Sequence, residues 1–122
     1  MSINGETQGE ANDVALSVTE ATALGERGLQ RIGYSAEEAR VIAANLVDAE
    51  LCGYPALGLP RILTIADHPC TKQPRKPISV VHQTPVSALI DGGNYVGLYA
   101  VHHATRIAIE KARASRFALV GV

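Results

Sequence analysis

This chain predicts an α/β fold: an N-terminal helical layer of two or three helices, then strand-strand-helix-strand belonging to a larger mixed sheet. Three observations carry that expectation. Two Ser-x-x-Glu capping patterns precede apolar residues spaced by three and four. Beyond residue 77 the pattern changes to short strand-like runs. A long amphipathic stretch then joins two of those runs, as in a crossover unit.

Residues 1–16 are expected to be a disordered tail, on the polar composition of residues 1–13. The stretch MSINGETQGEAND lacks Lys, Arg and an apolar core, which argues against a secretory signal or an Arg-rich transit peptide. Ser17-Val-Thr-Glu20 caps the first helix, with an expected stripe of Val18, Ala21, Leu24, Gly25, Gly28 and Ile32, and Gly33 as its stop. Gly25 and Gly28 weaken a helix, so a close neighbour is expected on that face. Ser35-Ala-Glu-Glu38 caps a second helix, whose stripe is Ala39, Ile42, Ala43 and Leu46 and whose end falls near Leu51 to Gly53. A third, shorter helix is expected over 58–67, carrying Leu59, Ile62, Leu63 and Ala66. Residues 17–67 would form a helical subdomain.

Residues 68–77, HPCTKQPRKP, hold three prolines and clustered basic side chains, and read as a Pro-rich linker with a solvated charged surface. Residues 78–122 would then be an incomplete α/β sheet domain. Ile78 to Gln83 and Val86 to Ile90 read as strands joined at Thr84-Pro85. Asp91-Gly-Gly-Asn94 is a turn needing positive φ at Gly92 or Gly93, a reading preferred over a phosphate loop because the Gly-x-Gly-x-x-Gly spacing is missing. A helix is expected from about Val96 to Ala114, with Val101, Ala104, Ala108 and Ala112 on one face and Arg106, Glu110 and Arg113 on another. Phe117 to Val122 reads as the opening of a buried strand, so the chain is expected to be the front part of a larger protein.

Composition excludes several function classes. A net charge of −1 gives no electrostatic footprint for nucleic acid or acidic membranes. No apolar stretch reaches the roughly 18 residues needed to span a bilayer, and the cytoplasm is the expected location. Cys52 and Cys70 are expected as reduced thiols. The four histidines, His68, His82, His102 and His103, lack metal-site spacing, so no metal is expected, and surface or partner-facing roles are preferred for them.

Three segments carry a resemblance. Asp48-Ala-Glu-Leu-x-Gly53, Gly58-Leu-Pro-Arg61 and Ala88-Leu-Ile-Asp-Gly-Gly93 occur in order, followed by Ile109-Glu-Lys-Ala112 and Val120-Gly-Val122. Together they resemble the N-terminal portion of the malate/L-lactate dehydrogenase type 2 family, non-Rossmann NAD(P)-dependent oxidoreductases. The resemblance implies hydride transfer between NAD or NADP and a small 2-oxo, 2-hydroxy or imino acid. It also implies a homodimer, or pairing with a C-terminal portion. The family motif in the 56–61 turn is Ser-His-Gly-x-x-Arg, whose His handles the proton and whose Arg binds the substrate carboxylate. Here Ala56 and Leu57 stand at the Ser and His positions, and Gly58 and Arg61 match. The resemblance therefore implies Arg61 as the substrate-binding residue and leaves this turn without a catalytic acid/base. Tyr54 is a weak candidate for that role, since phenols ordinarily titrate near 10. Cofactor-binding residues are not specified. The competing expectation is a truncated, inactive fragment or a protein-interaction module.

Overall fold

A computed structural model describes residues 14–122. Most of the segment read as a disordered tail, residues 1–13, lies outside the described residues; positions 14–16 are exposed. Helix α1 (Val18–Arg31) and helix α2 (Ala36–Leu51) are both opened by complete capping boxes. Ser17 Oγ accepts from the Glu20 N–H and Glu20 Oε2 accepts from the Ser17 N–H; Ser35 and Glu38 repeat the arrangement. Gly33, at φ +99°, ends α1, with its own N–H on the Gln30 carbonyl and the Tyr34 N–H on the Leu29 carbonyl. That bond pair is the Schellman motif, and Leu29 and Tyr34 also meet in the core. The two residues left between the caps, Gly33 and Tyr34, fold α1 and α2 into a hairpin.

The close neighbour expected at the α1 glycines is present. A Cβ on Gly25 would stand 3.0 Å from Leu59 Cδ2 and 3.2 Å from Ala43 Cβ. The stripe itself needs correction. Leu29, absent from it, is fully buried, whereas Val18 and Leu24 are about half exposed. Leu24 lies about 140° around the helix from Leu29, so a face centred on Gly25 and Leu29 cannot bury it. Val18 sits at the helix's first turn, beyond the packed region. The α2 stripe is as expected, with Ala39, Ile42, Ala43 and Leu46 all buried.

Helix α3 (Arg61–Asp67) begins three residues later than expected, after a 3-10 turn over Pro55–Leu57. The Arg61 N–H bonds to the Gly58 carbonyl at 3.0 Å, a tight turn rather than an α-helical step. The buried residue of α3 is Ile65; Leu63 points to solvent.

Strands β1 (Ser79–Gln83) and β2 (Ser87–Asp91) pair antiparallel, with a register shift between Val80 and His82. Helix α4 (Gly97–Ser115) crosses over to β3 (Leu119–Gly121), which pairs parallel with β2. The result is a mixed sheet in the order β1-β2-β3. Ala88 and Ile90 of β2 are buried, while Leu89 between them and every residue of β1 are exposed. On α4 the buried residues are Tyr99, Ala100 and Ala104; Val101, about 100° on from Ala100, is exposed.

One core cluster joins Leu29, Ile42 and Leu46 of the hairpin with Ile65 of α3 and Tyr99 of α4. Segment 68–77 is tied on both sides rather than free. The Lys76 N–H bonds to the Gly93 carbonyl at 2.8 Å, and Asn94 Nδ2 donates to the Cys70 carbonyl at 2.8 Å. Its charge is not all solvated either. Arg75 is half-buried, its guanidinium 4.3 Å from the centre of the Tyr34 ring and 5.5 Å from that of Tyr95, and it donates to the Gly33 carbonyl.

Candidate acid-binding site

Two interactions fix the turn that delivers Arg61. Gly53 reverses the chain after α2 at φ +81°. Glu50, in the last turn of α2, then reaches across, and its Oε1 accepts the Leu59 N–H at 3.1 Å. Gly58 is buried directly beneath that carboxylate; a Cβ there would overlap Glu50 Oε1, Cδ and Cγ. A side chain of any kind at 58 is thus incompatible with the Glu50 bond. Pro60, at φ −57°, leads into α3, placing Arg61 half-buried at its first position.

A cavity of about 310 Å³ opens beside Arg61, at the small end of ligand pockets. One face of α3 supplies Arg61, Thr64, Ile65 and His68; the 3-10 turn Pro69–Lys72 supplies Cys70 and Thr71; the loop before α4 supplies Asn94, Tyr95 and Val96. No Asp or Glu is among them, so the Arg61 charge faces the cavity without a lining carboxylate. Tyr95 donates its phenol to Glu38 Oε1 at 2.9 Å. That bond, with burial second, raises the Tyr95 pKa above its ordinary 10.0, so the phenol stays neutral near pH 7.

His68 ends α3 in extended conformation and opens the following turn, and its Nδ1 accepts the Cys70 N–H at 3.2 Å. The sequence reading missed this residue. The signal was the spacing of Arg61, Thr64, Ile65 and His68, which is i, i+3, i+4, i+7 and marks one helix face. The Glu50 anchor was likewise seen only as part of a motif.

The other candidates lie elsewhere. Tyr54, Ala56 and Leu57 are exposed on the 3-10 turn and its entry, and none lines the cavity. His82 is on exposed β1; His103 is half-buried with its ring edge against Tyr99, 4.8 Å between centres. Cys52 and Cys70 are free and exposed. Among the described residues no three His, Cys, Asp or Glu side chains lie close enough to hold a metal ion, and no helix is long and apolar enough to cross a membrane.

The Asp91–Asn94 loop is a structural turn. Gly93 and Asn94 have φ of +62° and +64°, the Tyr95 N–H closes onto the Gly92 carbonyl at 3.0 Å, and the Gly93 N–H is held by Asp91 Oδ1 at 2.8 Å. The Gly93 donor is committed within the turn, and the Asn94 amide is committed to Cys70. Both donors are therefore already used within the fold, where a phosphate cradle would need them free.

Comparison with known proteins decides the family. The family described as malate/L-lactate dehydrogenase matches residues 16–122. The chain belongs to the malate/L-lactate dehydrogenase family. The malate dehydrogenase of Pyrococcus abyssi is 30% identical over 117 residues, which cover 93% of this chain and 32% of that protein. Among solved structures, the malate dehydrogenase of Pyrococcus horikoshii superposes with a TM-score of 0.77 at 28% identity, covering 84% of this chain and 30% of that one. The sulfolactate dehydrogenase of Methanocaldococcus jannaschii gives a TM-score of 0.75 at 27% identity, with the same coverage of 84% and 30%. The chain therefore spans about a third of the length of these relatives. The α/β architecture expected from sequence agrees with theirs.

Proposed function

We propose that this chain is the carboxylate-binding part of an oxidoreductase that exchanges a hydride between NAD or NADP and a small 2-oxo or 2-hydroxy acid. Family membership supports the reaction class. One observation carries the site: Arg61 lines a small cavity that has no acidic side chain among its described lining residues. A guanidinium there matches a carboxylate with two parallel hydrogen bonds. The nicotinamide partner belongs to the family-level part of this reading, and no residue described here is assigned to it.

The test is calorimetric titration of the chain with malate and with pyruvate. Arg61→Ala should weaken binding by roughly tenfold or more, the range for a lost charged hydrogen bond. Arg61→Lys should recover only part, because an ammonium cannot pair bidentately. Equal affinity of wild type and Arg61→Ala would sink the assignment.

The sheet favours a second reading, as an interaction module. Val81 and Leu119 present 63% and 73% of their surface, and every residue of β1 is exposed. Under this reading the chain pairs through the sheet with itself or with another segment. A monodisperse monomer by light scattering at high concentration would count against it.

A further inference from the structure

The Ser-His pair of the family motif is Ala56-Leu57 here, and those side chains lie outside the Arg61 cavity. The cavity nevertheless holds an imidazole. Resting on the reading of Arg61 as carboxylate binder, we propose that His68 forms the second half of a two-point site for 2-oxo acids. The Arg61 guanidinium takes the carboxylate, and the His68 Nε2–H donates a hydrogen bond to the oxygen on C2.

The argument starts from the ring's other nitrogen. His68 Nδ1 accepts the Cys70 backbone N–H. A neutral imidazole has one donor and one acceptor nitrogen, so this bond places the ring proton on Nε2. Protonating Nδ1 would set two donors against each other and break the bond. While the bond is held, His68 acts as a fixed donor and not as a base. It differs in kind from an acid/base histidine: it can polarise a carbonyl but has no acceptor site left for a proton.

Position supports the pairing. Arg61 opens α3 and His68 caps its C-terminus seven residues on, and both line the same cavity. Thr64 and Ile65 fill the face between them. The backbone at His68 is itself anchored: its N–H bonds to the Ile65 carbonyl, and the Thr71 hydroxyl donates to that same carbonyl at 2.6 Å. The ring bond restricts the rotamers open to this exposed side chain, which lowers the entropic cost of using it.

The experiment uses the 122-residue chain and a matched pair of probes, pyruvate and propionate, which differ at C2 by one oxygen. Histidine-selective long-range proton–nitrogen spectra should show His68 protonated at Nε2 and bare at Nδ1. Pyruvate should shift the Nε2 resonance saturably, and propionate should not. Wild type should bind pyruvate about 3- to 10-fold tighter than propionate, the span for one neutral hydrogen bond. His68→Asn keeps an acceptor for the Cys70 N–H, while its remaining donor, Nδ2, sits short of the Nε2 position; it should lose the preference for pyruvate over propionate. Arg61→Ala should lose both. Arg61-dependent pyruvate binding that is unchanged in His68→Asn, or a proton found on Nδ1, overturns the role of His68 alone. Absence of saturable binding of either acid to wild type overturns the Arg61 reading as well.

Discussion

Gly58 and Glu50 occupy one space, and a double-mutant cycle can read that out. In Glu50→Ala the Leu59 N–H loses its carboxylate acceptor. A hydrogen bond to a charged group contributes about 1.5–3 kcal/mol, and the half-exposed position of Glu50 argues for the lower end, about 1.5–2 kcal/mol. In Gly58→Ala the new methyl falls on Glu50 Oε1, Cδ and Cγ. Because the overlap reaches Cγ, a small shift of the carboxylate tip cannot relieve it, and the whole side chain must leave its rotamer. The same bond is lost, and the cost is again about 2 kcal/mol. The double variant has room for the methyl and no bond left to lose. It should therefore cost about 2 kcal/mol, where independent effects would add to about 4, a coupling of about 2 kcal/mol. Urea unfolding followed by circular dichroism resolves this, since about 1–1.5 kcal/mol per molar urea for a chain of this size turns each single loss into a midpoint shift of about 1–2 M. Additivity within about 0.5 kcal/mol would refute the shared space.

Other expectations follow from single positions. Leu29→Ala should cost about 2–5 kcal/mol by thermal or urea unfolding, against less than about 1 kcal/mol for the half-exposed Leu24→Ala; the reverse order would restore the stripe read from sequence. Gly93→Ala should cost about 2–3 kcal/mol, combining a left-handed backbone with overlap of the new methyl on the Lys76 carbonyl, which displaces the Lys76 N–H from the Gly93 carbonyl, and a loss under 0.5 kcal/mol would be incompatible with its φ of +62°. Tyr95, Tyr34 and Tyr99 all have raised pKa values, Tyr95 mainly through its bond to Glu38 and the other two mainly through burial. The folded state thus favours the protonated phenols, so their contribution is complete below pH 10 and is lost as pH rises through the higher folded values. Tyr95→Phe should flatten part of that alkaline loss while costing about 1 kcal/mol at neutral pH, and an unchanged alkaline limb in the stability profile would exclude the Tyr95 share. Ala56→Ser with Leu57→His, which rebuilds the family pair on an exposed turn, should change stability by less than about 0.5 kcal/mol; a larger loss would show that the turn depends on the side chains now present.

The caps and turns were legible because their signals are local. A Ser with Glu three residues on needs only its own helix to act, and both boxes formed at the expected residues. Gly33 and the Asp91–Asn94 turn are likewise set by φ and by bonds within a few residues. The inward faces of α1, α3 and α4 were harder to place, because a stripe of small apolar residues leaves the angle open and the neighbour chooses it. On α1 the choice is made by Ala43 and Leu59 pressing on Gly25, which turns Leu29 in and Leu24 out. The site divided in the same way. Arg61 could be named from a motif, but the cavity is closed by Asn94 and Tyr95, more than thirty residues away, and no local pattern announces that closure.

The way the turn is held also bears on how its two chemical roles can part. The bonds that shape it run from the Gly58 N–H to the Pro55 carbonyl, from the Arg61 N–H to the Gly58 carbonyl, and from the Leu59 N–H to Glu50. None uses a side chain at 56 or 57. Those side chains project outward, so a change there need not move Arg61. On the proposed reading, the motif positions that the family uses for the proton and the arginine that would hold the carboxylate are therefore separable: the first are two exposed positions, while the second rests on Glu50, Gly58 and Pro60. A chain with Ala-Leu at those positions that keeps Glu50, Gly58 and Arg61 keeps the turn geometry proposed to anchor an acid.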